Sequence, residues 1–323
     1  MGENRIAIIT TGGTISMDES GNSGLMPRLK GADLVSKLPV LPSNVSEIEV
    51  KEWKLLPSGY LTTRDVMELV RLIRELSKSY DGIVVTHGTD ALEETSYMVD
   101  LLYGGAVPVV FTGAMYPLSF PGSDALRNLY NAIKVASCFD AIGQGVLVVM
   151  NDEIHAASEV IKLKSFGIDA FSSFPYGFLG SLTPNGVEFR RKLLKREFYE
   201  IDEVEERVAL IKVCFSMDPD IIDLLISANY KGIVLEGMGV GNVPPSLVPF
   251  LEKALENGLF IVLASRCPGS DVIPIYGYSG GSLDLVKRGI IPAGKLNGLK
   301  ARVKLMVLLG VTRDIDELRE RFS

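Results

Sequence analysis

Short apolar runs rich in β-branched residues alternate along the chain with segments of helical periodicity. This alternation restricts the possible folds more than any other feature of the sequence. Four runs in the first half are predicted to be buried strands, at residues 5–11, 82–86, 107–111 and 145–150. Strands that are apolar throughout are typical of parallel sheets covered by helices on both faces. A fifth run, residues 47–53, alternates between apolar and polar residues and is predicted to lie nearer an edge. We therefore expect an α/β fold.

A second and shorter α/β series begins at Val208. Its strands are predicted at residues 209–213, 232–236 and 259–264. Before it lies a stretch that is dense in charge and poor in strand or glycine signals, which is typical of a linker. The predicted organisation is a larger N-terminal domain with a mostly parallel sheet flanked by helices, a linker, and a smaller C-terminal α/β domain, at residues 1–189, 190–207 and 208–323.

One helix start is predicted in detail. Thr62 precedes an apolar pattern of helical spacing, and Asp65 stands three residues further on. This spacing is a variant of the capping box, in which two side chains satisfy backbone N–H groups at the helix start.

Charge and residue counts exclude several classes of protein. The chain has 33 Lys and Arg against 40 Asp and Glu, a net charge of -7, and no basic cluster, so a nucleic-acid partner is not expected. Three widely separated cysteines and two histidines suggest neither a disulfide framework nor a multi-histidine metal centre. The first apolar run is short and ends in glycines, unlike a secretory signal or a membrane span. We expect a cytoplasmic protein with no membrane partner.

Two threonine-containing stretches follow predicted strands, at the end of the strand where ligands bind in open parallel sheets. The first, "TGGT" at residues 11–14, lacks the spacing of a phosphate-binding loop, and one interpretation is a tight turn. The second, "HGTD" at residues 87–90, opens a predicted helix, which Thr89 or Asp90 could simply cap. The functional alternative places a hydroxyl and a carboxylate beside the N–H groups of a helix start, which suits a nucleophile with an oxyanion site. His87 is interpreted as a packing residue.

A hydroxyl nucleophile needs a base, and histidine is scarce in this chain. A lysine is then the natural candidate, since burial can lower a lysine pKa toward neutrality. Lys162 and Lys164 both follow a predicted strand. The alternative for each is a solvated surface residue, because lysine is rarely buried. Sequence spacing does not place either lysine against Thr89.

Several stretches together resemble the bacterial-type L-asparaginase family of two-domain enzymes. In chain order they are "TTGGTIS", "THGTDALEET", "PVVFTGAMYP", "NLYNAI", "GVLVVMND", "GMGVGN" and "LKARV". The resemblance covers nearly the whole chain, and TGGTI and HGTD are specific in combination. It implies an amidohydrolase that converts L-asparagine to L-aspartate and ammonia with no metal or organic cofactor.

The resemblance also implies the catalytic residues, which are Thr14, Thr89, Asp90 and Lys162. Thr14 would attack the side-chain amide carbonyl and form an acyl-enzyme, while Thr89 and Lys162 manage the protons of its hydrolysis. Asp90 would hold the α-amino group of the substrate. Which threonine attacks first stays open, with Thr14 as the preferred candidate.

The substrate-binding residues implied by the resemblance are Ser58, Gly59, Gly88, Thr89, Asp90, Ala114 and Asn242. Ser58 and the Gly59 amide would grip the α-carboxylate, although Pro-Ser-Gly at residues 57–59 is by itself a typical turn. The carbonyl of Ala114 would accept from the departing amide. Asn242 would reach an active site across a subunit interface, which implies a homodimer or a dimer-of-dimers tetramer.

The sequence differs from the family pattern in three places. Residues 16–27 have the composition of a mobile lid but lack the usual tyrosine, and Leu25 or Met26 stands near its place. Either Thr14 is activated differently, or a tyrosine such as Tyr276 or Tyr278 substitutes. Gly59 replaces a frequent glutamine, and "PIYGYSGGSLDL" has no glutamate where periplasmic members offer one. These differences favour a pocket of different or looser substrate range.

Two other functions are alternatives to an L-asparagine amidohydrolase. One is the amidase component of a tRNA-dependent amidotransferase, but such components normally have an added N-terminal domain, whereas "TGGT" begins ten residues into this chain. The other is a non-catalytic protein that binds acidic amino acids. The presence of both threonines, the aspartate and the lysine argues against it.

Overall fold

The computed structural model describes residues 4–19 and 24–323. The chain divides into two compact units, Met1–Glu200 and Ile201–Ser323. The strands of the first unit are β1 (Asn4–Gly12), β2 (Met17–Glu19), β3 (Leu25–Pro27), β4 (Val45–Leu56), β5 (Gly82–Thr86), β6 (Val109–Thr112), β7 (Val146–Met150), β8 (Glu153–Ala156), β9 (Ile161–Lys162), β10 (Phe171–Ser172), β11 (Gly180–Thr183) and β12 (Gly186–Phe189). Its helices are α1 (Gly31–Ser36), α2 (Thr63–Leu76), α3 (Leu92–Leu102) and α4 (Ala125–Ala136).

Within the described residues, eight of these strands form one sheet in the order β12-β11-β8-β7-β6-β5-β1-β4. The strands β7, β6, β5, β1 and β4 run parallel to one another. The strands β8, β11 and β12 extend the sheet in antiparallel pairs. The pairs β2–β3 and β9–β10 form separate antiparallel ribbons. The mostly parallel sheet predicted from the apolar runs is confirmed.

The central strands of this sheet are buried on both faces. Every residue of β5, β6 and β7 is buried. Leu129 and Ile133 of α4 share a core with Ile8 and Val84, which lie on one face of the sheet. Because side chains alternate along a strand, Val85 points to the other face, where it is also buried. The edge strand β4 retains some exposure at every residue, as its alternating sequence predicts.

The predicted start of α2 is confirmed in atomic detail. The Thr62 hydroxyl accepts from the backbone N–H of Asp65, and the Asp65 carboxylate accepts from the backbone N–H of Thr62. Both bonds satisfy N–H groups that a helix start leaves without an intrahelical partner.

The second unit is a smaller α/β body. Its strands, β13 (Val208–Lys212), β14 (Gly232–Gly237), β15 (Phe260–Ser265) and β16 (Ile291–Pro292), form a parallel sheet in that order. Its helices are α5 (Asp220–Ser227), α6 (Val248–Glu256), α7 (Ser282–Lys287), α8 (Gly298–Val311) and α9 (Ile315–Phe322). The side chain of Asn297 caps α8 and that of Asp314 caps α9. The predicted two-part α/β architecture is confirmed.

The division between the units falls inside the stretch predicted to be a linker. Residues 190–207 contain no helix and no strand, and the two units separate between Glu200 and Ile201. The domain bounds 1–189, 190–207 and 208–323 stay predictions.

None of the helices in residues 4–19 and 24–323 is both long enough and apolar enough to cross a membrane.

Candidate active site

The two threonine loops lie side by side at the carboxyl edge of the large sheet. β1 and β5 are parallel neighbours, with Thr10 opposite Thr86 at their ends. The Thr11 hydroxyl donates to the Thr86 carbonyl over 3.0 Å. The loops at residues 11–14 and 87–90 therefore leave the sheet from adjacent positions.

Glycines bring these two loops into direct contact. Gly13 has a φ of 81°, and a Cβ added to it would lie 2.3 Å from the Cα of Gly88. Gly12 has a φ of 100°, and its added Cβ would lie 2.4 Å from the Leu56 carbonyl oxygen. The glycines thus do more than make a tight turn, because they let three backbone segments approach more closely than any side chain allows.

Replacing Gly13 with alanine tests this contact. Gly13→Ala should destabilise the protein by about 1–3 kcal/mol and lower turnover about tenfold or more, because the new methyl group must push the two loops apart. The measurements are urea denaturation and steady-state kinetics. Gly122→Ala is the matched control, since Gly122 has a similar φ of 76° but no atom within 4 Å of an added Cβ. Equal losses of turnover in the two variants would contradict the proposed contact.

Lys162 is held between Thr89 and Asp90. Its Nζ donates to the Thr89 hydroxyl oxygen over 3.0 Å and to the Asp90 carboxylate over 2.7 Å. The Lys162 side chain is 18% exposed, whereas that of Asp90 is 84% exposed. Lys164 instead pairs with Asp169 at the surface. The surface interpretation therefore describes Lys164 and is wrong for Lys162.

The alternative in which Thr89 or Asp90 caps the following helix is wrong. α3 begins at Leu92, its N-cap residue is Ala91, and no side chain makes a capping hydrogen bond there. The Ala91 backbone N–H donates instead to the Ser58 hydroxyl over 3.2 Å. The Thr89 hydroxyl is thus available to Lys162.

Ser58 lies against the second loop. It is 5% exposed, and a Cβ added to Gly88 would lie 2.7 Å from the Ser58 Oγ. Its neighbour Gly59 is exposed and forms the middle of a 3-10 helix, Ser58–Tyr60. The structure therefore brings Ser58, Gly88, Thr89 and Lys162 together within the first unit.

Thr14 is half-buried on the first loop and begins a short 3-10 helix, Thr14–Ser16. The residue before it, Gly13, contacts Gly88 of the second loop. No hydrogen bond to the Thr14 hydroxyl is found among residues 4–19 and 24–323. Thr14 therefore follows directly on a glycine that contacts the Thr89 loop, and its hydroxyl has no internal partner in the described part of the chain.

The segment predicted to be a lid is partly described. β2 and β3 pair in antiparallel fashion, and the predicted lid residues 20–23 lie outside the described residues. Leu25 and Met26 are 37% and 47% exposed. Neither offers a hydroxyl for Thr14, so the difference from the family pattern persists in the structure.

His87 is a packing residue, as its position at the strand end indicates. It is fully buried, its ring lies 5.8 Å from that of Phe111, and its Nδ1 lies 2.8 Å from the Gly88 carbonyl oxygen. Because a carbonyl oxygen only accepts, Nδ1 carries the proton. Burial lowers the pKa of His87 to about 4, with the Gly88 hydrogen bond opposing the shift. His87 therefore stays neutral at physiological pH.

Both histidines make the fold sensitive to acid. Burial, aided by the charge of Arg191, also lowers the pKa of His155 to about 4. The unfolded state binds these protons near pH 6.5, whereas the folded state binds them only near pH 4. The contribution of the two histidines to the free energy of unfolding is therefore fully present above pH 6.5 and is lost as the pH falls from 6.5 to 4. Each histidine should account for a loss on the order of 3 kcal/mol. Urea denaturation from pH 7.5 to 4.5 measures this, and His155→Gln should flatten the profile. An unchanged slope in that variant would contradict the assignment.

Ala114 lies in the loop that follows β6, and this loop packs beside Thr89. A Cβ added to its neighbour Gly113 would lie 3.2 Å from the Thr89 methyl carbon. The loop is held by Asp124, whose carboxylate accepts from the backbone N–H groups of Met115 and Tyr116. The sequence analysis missed Asp124, although it stands just before the helix that contains "NLYNAI".

Glu93 is a second residue that the sequence analysis missed. It is 5% exposed in the first turn of α3, and its carboxylate accepts from the backbone N–H of Lys162 over 3.1 Å. Glu93 thereby fixes β9 next to the loop that contains Thr89. The only signal in the sequence was a glutamate next to Leu92 within the stretch "THGTDALEET".

Asn242 and the two candidate tyrosines belong to the second unit. The Asn242 side-chain oxygen accepts from the Ser282 backbone N–H over 3.1 Å, and its backbone bridges to Met238. Tyr276 and Tyr278 are exposed, with ring centroids 5.5 Å apart. Their predicted roles at an active site stay predictions.

In residues 4–19 and 24–323, no group of three or more His, Cys, Asp or Glu side chains could hold a metal ion.

Comparison with known proteins identifies the chain. Residues 5–195 match the model of the N-terminal asparaginase domain, and residues 207–322 match the C-terminal domain of glutaminases and asparaginases. The chain is 36% identical to an L-asparaginase of Bacillus licheniformis over 307 residues, 94% of this chain and 95% of that protein. It is 33% identical to a component of the glutamyl-tRNA(Gln) amidotransferase of Pyrococcus abyssi, covering 98% of this chain and 74% of that one.

A solved structure agrees with these sequence matches. The crystal structure of a probable cytoplasmic L-asparaginase from Campylobacter jejuni superposes with a TM-score of 0.89 at 30% identity, covering 99% of both chains. The fold and the matches first define the class, which is that of an amidohydrolase enzyme. Within that class, the chain belongs to the asparaginase family, as its motifs predict. The alternative of a non-catalytic protein that binds acidic amino acids does not agree with this class.

Proposed function

We propose that the protein hydrolyses L-asparagine to L-aspartate and ammonia through a threonine nucleophile and an acyl-enzyme. The main support is the contact of Lys162 with Thr89 and Asp90, which puts a hydroxyl and a carboxylate within hydrogen-bonding distance of the same amine. This is the arrangement that activating a hydroxyl or a water molecule requires where no histidine is available. The L-asparaginase relative from Bacillus licheniformis supports the choice of substrate.

In the first half of the reaction, the Thr14 hydroxyl oxygen attacks the side-chain amide carbon of asparagine. A C–O bond forms, the hydroxyl proton passes to the amide nitrogen, the C–N bond breaks, and the nitrogen leaves as ammonia. The product is an ester between Thr14 and the aspartyl side chain. The position of Thr14 on a loop in contact with the Thr89 loop supports this role.

In the second half, water attacks the ester carbon. Thr89 takes a proton from the water and passes its own to Lys162. The ester C–O bond to Thr14 then breaks, and the proton returns through Thr89 to the Thr14 oxygen as L-aspartate leaves. The 3.0 Å contact between Lys162 Nζ and Thr89 Oγ1 gives a short path for this proton. Asp90 keeps the lysine in place through its 2.7 Å ion pair.

Substrate binding is assigned to the groups around this centre. Asp90 binds the α-amino group, for which its exposed carboxylate offers several acceptor positions. Ser58 and the backbone of Gly59 bind the α-carboxylate, and Gly88 allows their close approach to the Thr89 loop. The Ala114 carbonyl accepts from the side-chain amide. No metal or organic cofactor takes part in the proposed reaction.

We further propose that the protein is cytoplasmic and forms a homodimer or a dimer of dimers. Asn242 of a neighbouring subunit then contributes to the site. Light scattering tests the assembly, and a fully active monomer would contradict it.

A second candidate function is the amidase component of a tRNA-dependent amidotransferase. The Pyrococcus abyssi relative favours it, since 98% of this chain aligns with 74% of that protein. In this function, amide hydrolysis would supply ammonia to a partner protein. Turnover would then be weak without the partner.

Ammonia release by the purified protein tests these proposals. L-Asparagine and L-glutamine are supplied separately, and ammonia and L-aspartate are both quantified. Equimolar release of both products from asparagine, without any partner, is expected. No release from either amide would reject the proposed function and leave the amidotransferase candidate to be tested with its partner. Preference between the two amides is open to measurement, because one methylene changes binding by only about 1–3 kcal/mol.

A further inference from the structure

Asp124 has an unusual position for an acidic residue at a helix start. It is the N-cap residue of α4, yet its side chain makes no capping hydrogen bond. It is 6% exposed and turns toward the loop that contains Ala114. One carboxylate oxygen accepts from the backbone N–H groups of Met115 and Tyr116, each over 3.0 Å. The other oxygen lies 3.0 Å from the Met115 nitrogen and 2.9 Å from the Asn128 side-chain nitrogen.

The bond from Met115 fixes the direction of the Ala114 carbonyl. The carbonyl of Ala114 and the N–H of Met115 belong to the same peptide unit, which is planar and trans, so the two groups point in opposite directions. Because the Met115 N–H points at Asp124, the Ala114 oxygen points away from it. The negative charge of Asp124 also polarises this peptide unit, which makes the Ala114 oxygen a stronger acceptor.

Asn128 fixes the other side of Ala114. It is fully buried, and its side-chain nitrogen donates to the Gly113 carbonyl oxygen over 3.0 Å. Its side-chain oxygen accepts from the Asn151 backbone N–H over 3.2 Å. The peptide units before and after Ala114 are therefore both held, one by Asn128 of α4 and the other by Asp124 at its N-cap. Since Gly113 packs against the Thr89 methyl group, the loop has little room to rotate.

We infer that Asp124, supported by Asn128, is a positioning residue that sets the Ala114 carbonyl as the acceptor for the leaving amide and so makes the enzyme selective for amides over esters. This inference rests on the proposed function. Asp124 does not touch the substrate, and it acts through the peptide unit of Ala114 and Met115.

The chemistry of the leaving group explains the selectivity. An amide nitrogen has N–H groups that a carbonyl oxygen can accept, and it becomes a stronger donor as it is protonated and departs. The bond to Ala114 therefore strengthens in the transition state, where it lowers the barrier. The leaving oxygen of an ester has no N–H group, so a correctly aimed carbonyl gives it no such assistance.

The test compares L-asparagine with L-aspartate β-methyl ester in the wild type and in Asp124→Asn. An asparagine side chain at this position removes the charge and presents N–H groups to the N–H groups of the loop. We expect kcat/KM for asparagine to fall roughly five- to tenfold and that for the ester to change less than about twofold. Asp124→Ser, which removes the carboxylate without adding N–H groups, provides the same comparison should the first variant fold poorly.

Asn131→Ala is the matched control. Asn131 lies on the same helix, is 6% exposed, and donates to Asp152 over 2.7 Å, away from the Ala114 loop. Its amide-to-ester ratio should equal that of the wild type. Equal losses for amide and ester in the Asp124 variants would overturn the inference, as would no loss for either. Failure of the wild type to hydrolyse asparagine would instead reject the proposed function, so the two failures are distinguishable.

Discussion

Replacing Thr14 with alanine is expected to lower the rate of ammonia release from L-asparagine by on the order of 10³-fold or more. The alanine variant has no hydroxyl to form the acyl-enzyme, and the neighbouring Thr89 is already bonded to Lys162. The measurement is steady-state turnover together with thermal melting. The melting temperature should change little, because no hydrogen bond to the Thr14 hydroxyl is found in the described part of the chain.

Two further variants make this result specific. Ser16 belongs to the same 3-10 helix, and its buried hydroxyl has no hydrogen-bond partner among the described residues. Ser16→Ala should therefore stay within about twofold of wild-type turnover. Thr14→Ser should recover measurable activity, since it restores the hydroxyl. Full activity in Thr14→Ala would instead assign the nucleophile to Thr89, which Thr89→Val then tests directly.

Replacing Lys162 with methionine should preserve the fold and lower turnover by about 10²-fold or more, as expected for loss of a general base. Methionine fills the largely buried space of the lysine stem, but it leaves the Thr89 hydroxyl without its amine and Asp90 without its partner. The measurement is kcat for L-asparagine, with thermal melting to show that the fold is preserved.

Lys164→Met is the control for this prediction. Lys164 lies two residues away and pairs with Asp169 at the surface, where both side chains are more than half exposed. Its loss should change turnover less than about twofold, because exposed ion pairs contribute little. Wild-type turnover in Lys162→Met would remove this lysine from the mechanism.

The sheet could be predicted from the sequence because its signals are local. β5 and β7 are short apolar runs, and their complete burial follows from a sheet covered on both faces. The capping box of Thr62 and Asp65 spans only three residues, so its geometry is fixed by local backbone structure. The edge position of β4 follows from its alternation.

The candidate site was less predictable because its contacts join distant parts of the chain. Lys162 and Thr89 are 73 positions apart in the sequence. A lysine after a strand cannot be distinguished from a surface lysine by its sequence, and the position of Lys162 depends on the pairing of β9 with β10. The helix-cap hypothesis for Thr89 was wrong because the Ser58 hydroxyl accepts from the Ala91 N–H at the start of α3. That bond depends on a loop more than thirty residues earlier. Motif resemblance suggested the residues, and only the tertiary contacts show that Lys162 lies against Thr89 and Asp90.

The glycine contact between the two loops has a consequence for protein engineering. Libraries that aim to widen or narrow the range of accepted amides should leave Gly13 and Gly88 unchanged, since any side chain there meets backbone or Ser58. Gly59 is the opposite case, because it is exposed and an added Cβ has no atom within 4 Å. Randomising Gly59 can therefore add a new side chain beside Ser58 without meeting any protein atom in the described part of the chain.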